Sequence, residues 1–380
     1  MKTLLQKLVL FIVFSFAFGS LYAQGSKNAL SFDGINDYVF FDYNNRGITN
    51  EVTVEAWVKT SASKLQLVTA KYDRDGEHGY QLVMRDGKAA FSGRDGTGEY
   101  RISGYSPRII NDNNWHHLAG VCKNGTWSIY IDGVLESQSV TGYNGVDLRS
   151  NAPFTVGNYY LVNNDFFQGQ IDELKIWKRG LSEAEIRSGM CQTANKSNTD
   201  LVVYLKFDEG SGSSLTDHSS YGINGTFRNM NASAAWVVSG APIGDKSVYL
   251  YPNSWLNQQL NLNSSSVNNL AVTSTSSSLK GMHIYTVSSQ PNTLSGIKTP
   301  SQISDYFGTF RVGTSTSTYT ATGTQANAAC FRTLYQRAGN TATNWVSASE
   351  TTNPNFPSFT SSNLITEFAL NTSTTGTANL

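Results

Sequence analysis

Charge is scarce in this chain and evenly divided, with 28 basic and 28 acidic side chains among 380 residues. No net field steers it towards nucleic acid or an anionic membrane surface. Long apolar runs are scarce too. Beyond the first 23 residues no segment approaches the roughly 18 uninterrupted apolar residues of a membrane span. Cysteine occurs three times, at Cys122, Cys191 and Cys330. None follows the leader closely enough for a lipid-anchored lipoprotein, and no CxxC or His/Cys spacing points to zinc. A GxSxG elbow is missing, as is a Gly-rich phosphate loop set between a strand and a helix. The five histidines offer no catalytic pairing with serine or cysteine. His116 and His117 are adjacent in a strand pattern, so they face opposite ways and cannot chelate one ion together.

The N-terminus carries Lys2 and Lys7, then an apolar stretch from Leu8 to Phe18, with Ala23 before Gln24. That is the pattern of a secretory signal peptide over residues 1–23. The mature protein is expected to be exported, either released or held at the cell surface. In that oxidising setting the economical disulfide is Cys122–Cys191, with free buried thiols as an alternative of equal weight.

Aromatic and β-branched runs separated by Gly, Asn and Asp point to an all-β protein. Asp86-Gly87 and Asp132-Gly133 are two-residue hairpin turns, where positive φ is needed. About ten strands between Ala29 and Arg179 predict a two-sheet sandwich. The stretch from Gln170 to Ile186 is the sharpest local signal. Asp172, Leu174 and Ile176 alternate with Glu173 and Lys175, which puts Asp172 on the buried face and Glu173 on the other. Ser182 then stands at an N-cap with Glu185 three residues on, and Leu181 and Ile186 are spaced for a hydrophobic staple. A helix is expected from Ser182 to about Met190.

LSFDGINDYV, TVEAWVK, the strand WHHLAGV from Trp115, IYIDG, FTVGN and GQIDELKIWKRGLSEAEI occur in that order. Together they resemble a laminin G-like jelly roll of the concanavalin A-like kind, common in exported proteins of Bacteroidetes-type bacteria. The resemblance implies such a domain over residues 25–242, with Leu201–Phe227 packing on it as a strand and long loop. It also implies a structural Ca²⁺ held by Asp33, a backbone carbonyl such as that of Gly34, and Asp172. Calcium suits hard oxygen ligands in flexible geometry. The alternative is that Asp33 makes an Asx-turn and Asp172 caps backbone amides. In that family Trp115 and His117 are architectural.

Enzymes on this fold carry a compact acidic run, which is absent here. Glu51 and Glu55 share a strand face but stand about 13 Å apart at about 3.3 Å per residue, beyond the roughly 9.5 Å of an inverting pair. That leaves binding. Tyr100, Arg101, Tyr159 and Asn163 are candidate ligand contacts, drawn from a wider set that includes Tyr105, Tyr160, Arg85 and Arg94.

After residue 243 the composition turns to Ser, Thr and Asn. Composition alone would make Asn261–Ser278 disordered, but the strand-like segments beyond it predict a smaller β-sandwich-like module over 244–370. Residues 371–380 are expected to form a disordered tail. The module resembles one that follows laminin G-like domains in Bacteroidetes surface proteins, where a sorting domain for export commonly comes later. The sequence reaches Leu380 without sorting strands, so either a shortened gene product or release rather than anchoring is expected. The sequence therefore predicts a secreted, non-catalytic binding or adhesion protein for polysaccharide or a surface glycoprotein. A glycoside hydrolase, or an accessory carbohydrate-binding domain of one, is the alternative.

Overall fold

The computed structural model describes residues 25–42, 46–73, 78–139, 145–160, 164–264, 268–300, 303–325, 331–352 and 356–373. The expected signal peptide, Asn163 and Cys330 lie outside these residues. Strands dominate, as the turn-punctuated sequence requires.

The first sheet runs in the order β10 (Val134–Gln138), β9 (Thr126–Ile131), β8 (Trp115–Lys123), β3 (Val52–Lys59), β12 (Gln168–Trp177), β1 (Asn28–Asp33) and β16 (Trp236–Val238). A further strand, β13 (Leu201–Leu205), also pairs with β12. The second sheet runs β14 (Ser214–Leu215), β15 (Gly225–Arg228), β2 (Tyr38–Phe41), β11 (Phe154–Val156), β4 (Gln66–Asp73), β5 (His78–Arg85), β6 (Lys88–Asp95) and β7 (Tyr100–Ile102). The two sheets face each other across Val54, Ala56, Val58, Leu118 and Ile171 from one side and Val39, Phe41, Leu82, Met84 and Phe91 from the other. The order is that of a jelly-roll sandwich. The segment after residue 200 serves both sheets. β13 extends the first, while β14 and β15 extend the second.

Local chemistry fixes the corners. Asp86 and Gly87 have φ of 52° and 72°, and Asp132 and Gly133 have 51° and 71°, as a primed hairpin turn demands. Asn124 and Gly125, at 49° and 72°, make a third such turn inside what reads as one long strand segment. Helix α1 (Glu183–Gly189) starts at Ser182, whose side chain accepts from the Glu185 amide while Glu185 answers from the Ser182 amide. Leu181 and Ile186 are buried together against Ala119 and Val121, which clamps the helix onto β8. A single-turn helix, α2 (Ala232–Ala235), leads into β16.

The second module is a two-sheet sandwich. One sheet runs β17 (Lys246–Leu250), β20 (Leu279–Val287), β21 (Tyr306–Gly313), β26 (Ile365–Ser373), β23 (Phe331–Arg337) and β24 (Val346–Thr352). The other runs β18 (Gln259–Asn263), β19 (Asn268–Thr273), β22 (Tyr319–Gln325) and β25 (Ser358–Ser361). Leu262, Val272, Ile284, Phe307, Tyr319 and Phe368 fill the space between them. The Ser/Asn-rich stretch thus supplies the end of β18 and all of β19, which bury Leu262, Leu270 and Val272. β26 also runs three residues past position 370, pairing Asn371, Thr372 and Ser373 with β23.

Candidate functional site

Which faces of the jelly roll remain open is decided by a bulge in β12. The register of β12 against β3 shifts between Asp172 and Lys175, and Glu173 adopts φ 48°. A bulge inserts one residue and resets the alternation beyond it. Ile171 opposite Val58 and Ile176 opposite Val54 therefore both face the sandwich core, together with Leu174. Asp172, opposite Trp57, faces the outside with Lys175, which is opposite Glu55. Unbroken alternation places Asp172 inward, and the bulge corrects that. Glu173 is corrected too, since it is buried rather than pointing to water.

That outer face is sealed by the second module over Trp57 and Trp115, and by α1 and the segment after it over Ala119, Val121 and Lys175. Trp57 stacks edge-on against Phe310 of β21 at 5.0 Å, and its indole donates to the Met190 carbonyl at 2.8 Å. Ala29, Trp115, Cys191, Tyr285, Tyr306 and Trp345 join the same buried layer. Trp115 and His117, expected to fill the sandwich, pack in this layer between modules instead. A chain of polar groups is paired within it. Asp172 accepts from Ser26 and from Ser239, the latter at 2.5 Å, and from the Glu173 amide at 2.8 Å. Asn340 of the second module donates to the carbonyls of Ser26 and Ser239, both at 3.1 Å. Arg337 in turn donates to Asn340 and pairs with Glu367 at 2.6 Å. Burial, and then the charge of Glu173, raises the Asp172 pKa well above the usual carboxylate range. Glu173 accepts from Tyr204 at 2.9 Å, with Lys175 3.7 Å away.

Glu55 lies on this sealed face as well. It accepts from the Trp177 indole at 2.6 Å and faces the His117 ring at 3.4 Å. Burial raises its pKa, but His117, Lys175 and Trp177 outweigh burial and leave it lowered. These are the attributes of a structural carboxylate fixed in place. His116 points the opposite way from His117, between Asp132 at 2.8 Å and Asp112 at 3.2 Å.

The outer face of the second sheet has no module over it. A bulge between Leu67 and Thr69 sets its parity, so Leu67, Ala70 and Tyr72 of β4 point outward beside Gln81 and Val83 of β5. Ala90, Ser92 and Arg94 of β6 and Tyr100 and Ile102 of β7 complete the row. Tyr72 packs on Tyr159 at 5.5 Å, and Tyr159 meets Tyr160 edge-on at 5.4 Å. Arg94 donates to the Tyr72 hydroxyl at 3.1 Å and to the Gly98 carbonyl. Gln81 donates to Ser92 at 3.1 Å. Tyr105 and Tyr160 are half-buried, and Tyr100 is 47% exposed. Among the described residues, the outward positions of β4 to β7 hold no carboxylate. Leu67, Ala70, Tyr72, Val83, Ala90 and Ser92 are buried at its centre, so its accessible part is Tyr100, Tyr105 and Tyr160, whose rings suit the apolar side of a sugar, with Arg94 and Gln81 for its hydroxyl groups.

Residues 33–187 match the model of the concanavalin A-like lectin/glucanases superfamily. This segment is a laminin G-like domain. No curated protein matches the chain. One similar solved structure is a candidate carbohydrate-binding protein from Bacteroides ovatus, at 20% identity and a TM-score of 0.47, covering 58% of this chain. The chain spans 62% of that protein's length. A heptameric SAP-like pentraxin from Limulus polyphemus is similar at 13% identity, with 43% of this chain and 81% of that one covered and a TM-score of 0.37. The CBM40 of Ruminococcus gnavus IT-sialidase, bound to α2,3-sialyllactose, is similar at 14% identity, with 43% and 97% covered and a TM-score of 0.34.

The calcium ligands implied for the laminin G-like domain do not converge. Asp33 pairs with Gln168 in the β1–β12 ladder, four positions along β12 from Asp172 and so about 13 Å away at roughly 3.3 Å per residue. Asp33 makes an Asx-turn, accepting from the amides of Ile35 at 2.7 Å and Asn36 at 3.3 Å. Lys64 donates to the Gly34 carbonyl, placing an ammonium where the ion would need that oxygen. Asp172 spends its acceptors on two serines and an amide. Asp33, Gly34 and Asp172 therefore do not fit one ion.

Of the candidate ligand contacts, Tyr100 and Tyr159 lie on the open face of the second sheet. Arg101 points to the opposite side of β7, where it pairs with buried Asp95 at 2.7 Å. Tyr159 is itself buried and props Tyr72 and Tyr160 rather than reaching solvent. Tyr72, which sequence reasoning missed, is likewise buried, and its hydroxyl fixes Arg94. Its signal, alternation along β4, is broken by the bulge at Leu67–Thr69. The Cys122–Cys191 pairing is also corrected. Both are free, because Cys122 sits in the sandwich core and Cys191 in the layer between modules.

Proposed function

We propose that this chain is an exported, non-catalytic carbohydrate-binding protein whose laminin G-like domain takes a glycan on the outer face of its second sheet. The observation that carries this reading is the contrast between the two outer faces. One is closed by the second module and α1, and the other presents Arg94, Tyr100 and Tyr160 with no module above it. A rigid sandwich with a fixed aromatic and hydrogen-bonding surface suits binding without chemistry. A glycosidase needs two carboxylates about 5–9.5 Å apart around the scissile bond, and the outward row of β4 to β7 supplies none. The ligand class is a polysaccharide or the glycan of a surface glycoprotein, and adhesion is the role in which such binding serves. The family to which the domain belongs, named for lectins and glucanases, supports carbohydrate as the ligand class.

A glycan and polysaccharide array tests it with the mature chain and the Tyr160→Ala and Arg94→Ala variants. Retained glycans on the parent and at least tenfold weaker binding in both variants are expected. Robust release of reducing sugar from mixed polysaccharides would replace binding by hydrolysis, and binding untouched by either variant would move the site elsewhere.

A further inference from the structure

We infer that the second module holds its own binding groove for an uncharged oligosaccharide, separate from the laminin G-like domain. The groove, of about 580 Å³, opens where the β17–β18, β19–β20 and β21–β22 connections meet at one end of the module. That volume falls within the ~300–1,000 Å³ of small-ligand sites. Loops gathered at the end of a β-sandwich are a recurrent place for recognition, because the sheets hold them rigidly.

Its lining explains both the ligand class and the odd composition of this stretch. Trp255, Leu279 and Tyr319, all buried, contribute the apolar part, and Leu256 stands 73% exposed at the groove. The remainder is hydroxyl and amide: Asn253, Asn257, Gln258, Thr275, Ser277 and Thr320 among them. No lining residue is acidic, basic or histidine. A charged ligand would find no counter-ion there, and leaving its hydration unreplaced would be costly. A wholly apolar ligand would strip water from hydroxyls and amides without replacing their hydrogen bonds. A neutral, hydroxyl-rich molecule with apolar ring faces satisfies both halves of the wall.

The groove is also braced. Ser274 donates to the Thr318 carbonyl at 2.6 Å, and Ser278 meets Ser317 at 2.8 Å, tying the β19–β20 connection to the β21–β22 connection. The Trp255 indole donates to the Leu279 carbonyl at 3.1 Å, tying in the third connection. The run Thr273–Ser278, which on composition reads as disordered, is thus fixed and divided in its labour. Ser274 and Ser278 hold the loops together, while Thr275 and Ser277 stay exposed along the groove. Such bracing lowers the ordering cost on binding.

The test is calorimetric titration of the mature chain with neutral gluco-, manno-, xylo- and galacto-oligosaccharides of four to six units, beside sialylated and uronic acid-containing ones. Thr275→Trp and Leu256→Asp change exposed groove positions outside the module core, and their melting temperatures are checked against the parent. Saturable binding of a neutral oligosaccharide is expected, with a component at least tenfold weaker in both variants that persists in Tyr160→Ala. Binding lost in Tyr160→Ala but kept in Thr275→Trp would assign the sugar to the laminin G-like domain and overturn this inference while upholding the other. No neutral binder in the panel, or a preference for anionic sugars, would also overturn it.

Discussion

Trp57→Ala is the perturbation that most directly probes the seam between the modules. Trp57 is fully buried on the outer face of β3, edge-on to Phe310 at 5.0 Å and hydrogen-bonded to the Met190 carbonyl at 2.8 Å. Removing a buried tryptophan costs about 3–5 kcal/mol. About 0.5–1.5 kcal/mol of aromatic pairing with Phe310 belongs to that loss, and an orphaned buried carbonyl carries a penalty of about 1–3 kcal/mol. Because whole domains are stable by only about 5–15 kcal/mol, a loss of this size at the joint is enough to let one module unfold before the other. Scanning calorimetry of the parent should show one cooperative transition, and Trp57→Ala should show two. A double-mutant cycle of Trp57→Phe with Phe310→Leu isolates the contact across the seam, with an expected coupling of about 0.5–1.5 kcal/mol. Two well-separated transitions already in the parent, together with zero coupling, would refute the picture of a welded pair.

The pH response should carry the mark of the His116 cluster. Burial opposes protonation of His116, but Asp132 and Asp112 outweigh it and raise its pKa to about 9, while His116 and Arg108 overcome burial to lower Asp132 to about 2. The raised His116 contributes stability that is complete below its unfolded value of 6.5 and is lost as pH rises through about 9. The lowered Asp132 contributes above 3.8 and loses its contribution as pH falls through about 2. Lys71, whose ammonium burial lowers to about 8, acts in the opposite sense on the alkaline side. The readout is therefore the difference between the parent and His116→Gln in urea unfolding at pH 6 and pH 9.5. It should shrink towards pH 9.5, and a constant difference would remove His116 from the account. A thiol-reactive dye should leave Cys122 and Cys191 unlabelled in the native protein and label both in denaturant. Burial, then Glu51 and Asp95, pushes the Cys122 thiol up to about 12, and Cys191 is fully buried. A cross-linked Cys122–Cys191 peptide from native protein would contradict this.

Much of the jelly roll was legible because its signals are local. Ser182, Glu185, Leu181 and Ile186 specify the start of α1 through contacts within five residues, and Asp86-Gly87 and Asp132-Gly133 specify turns through their own backbone freedom. The order of the strand motifs then sufficed for the sandwich. The site was less legible. Tyr100, Arg101 and Tyr159 are nameable as candidate contacts, but only the structure exposes Tyr100, buries Tyr159 and turns Arg101 to Asp95. Strand parity is a local rule that a single bulge reverses, and the bulges at Leu67–Thr69 and Asp172–Lys175 leave no compositional trace.

The sequence by itself determined an all-β chain, the position of its capped helix, the jelly-roll order of its first domain and the strand content of its second. Those follow from alternation, turn residues and caps, which act between near neighbours. Only the tertiary structure decided which sheet face is open, because that depends on Phe310, Asn340 and Trp345 arriving far along the chain from β3, β8 and β12, which they cover. Contacts between segments apart in sequence likewise made Asp172 a buried acceptor for Ser26 and Ser239 rather than a partner of Asp33, and turned a serine and threonine run into the wall of a groove.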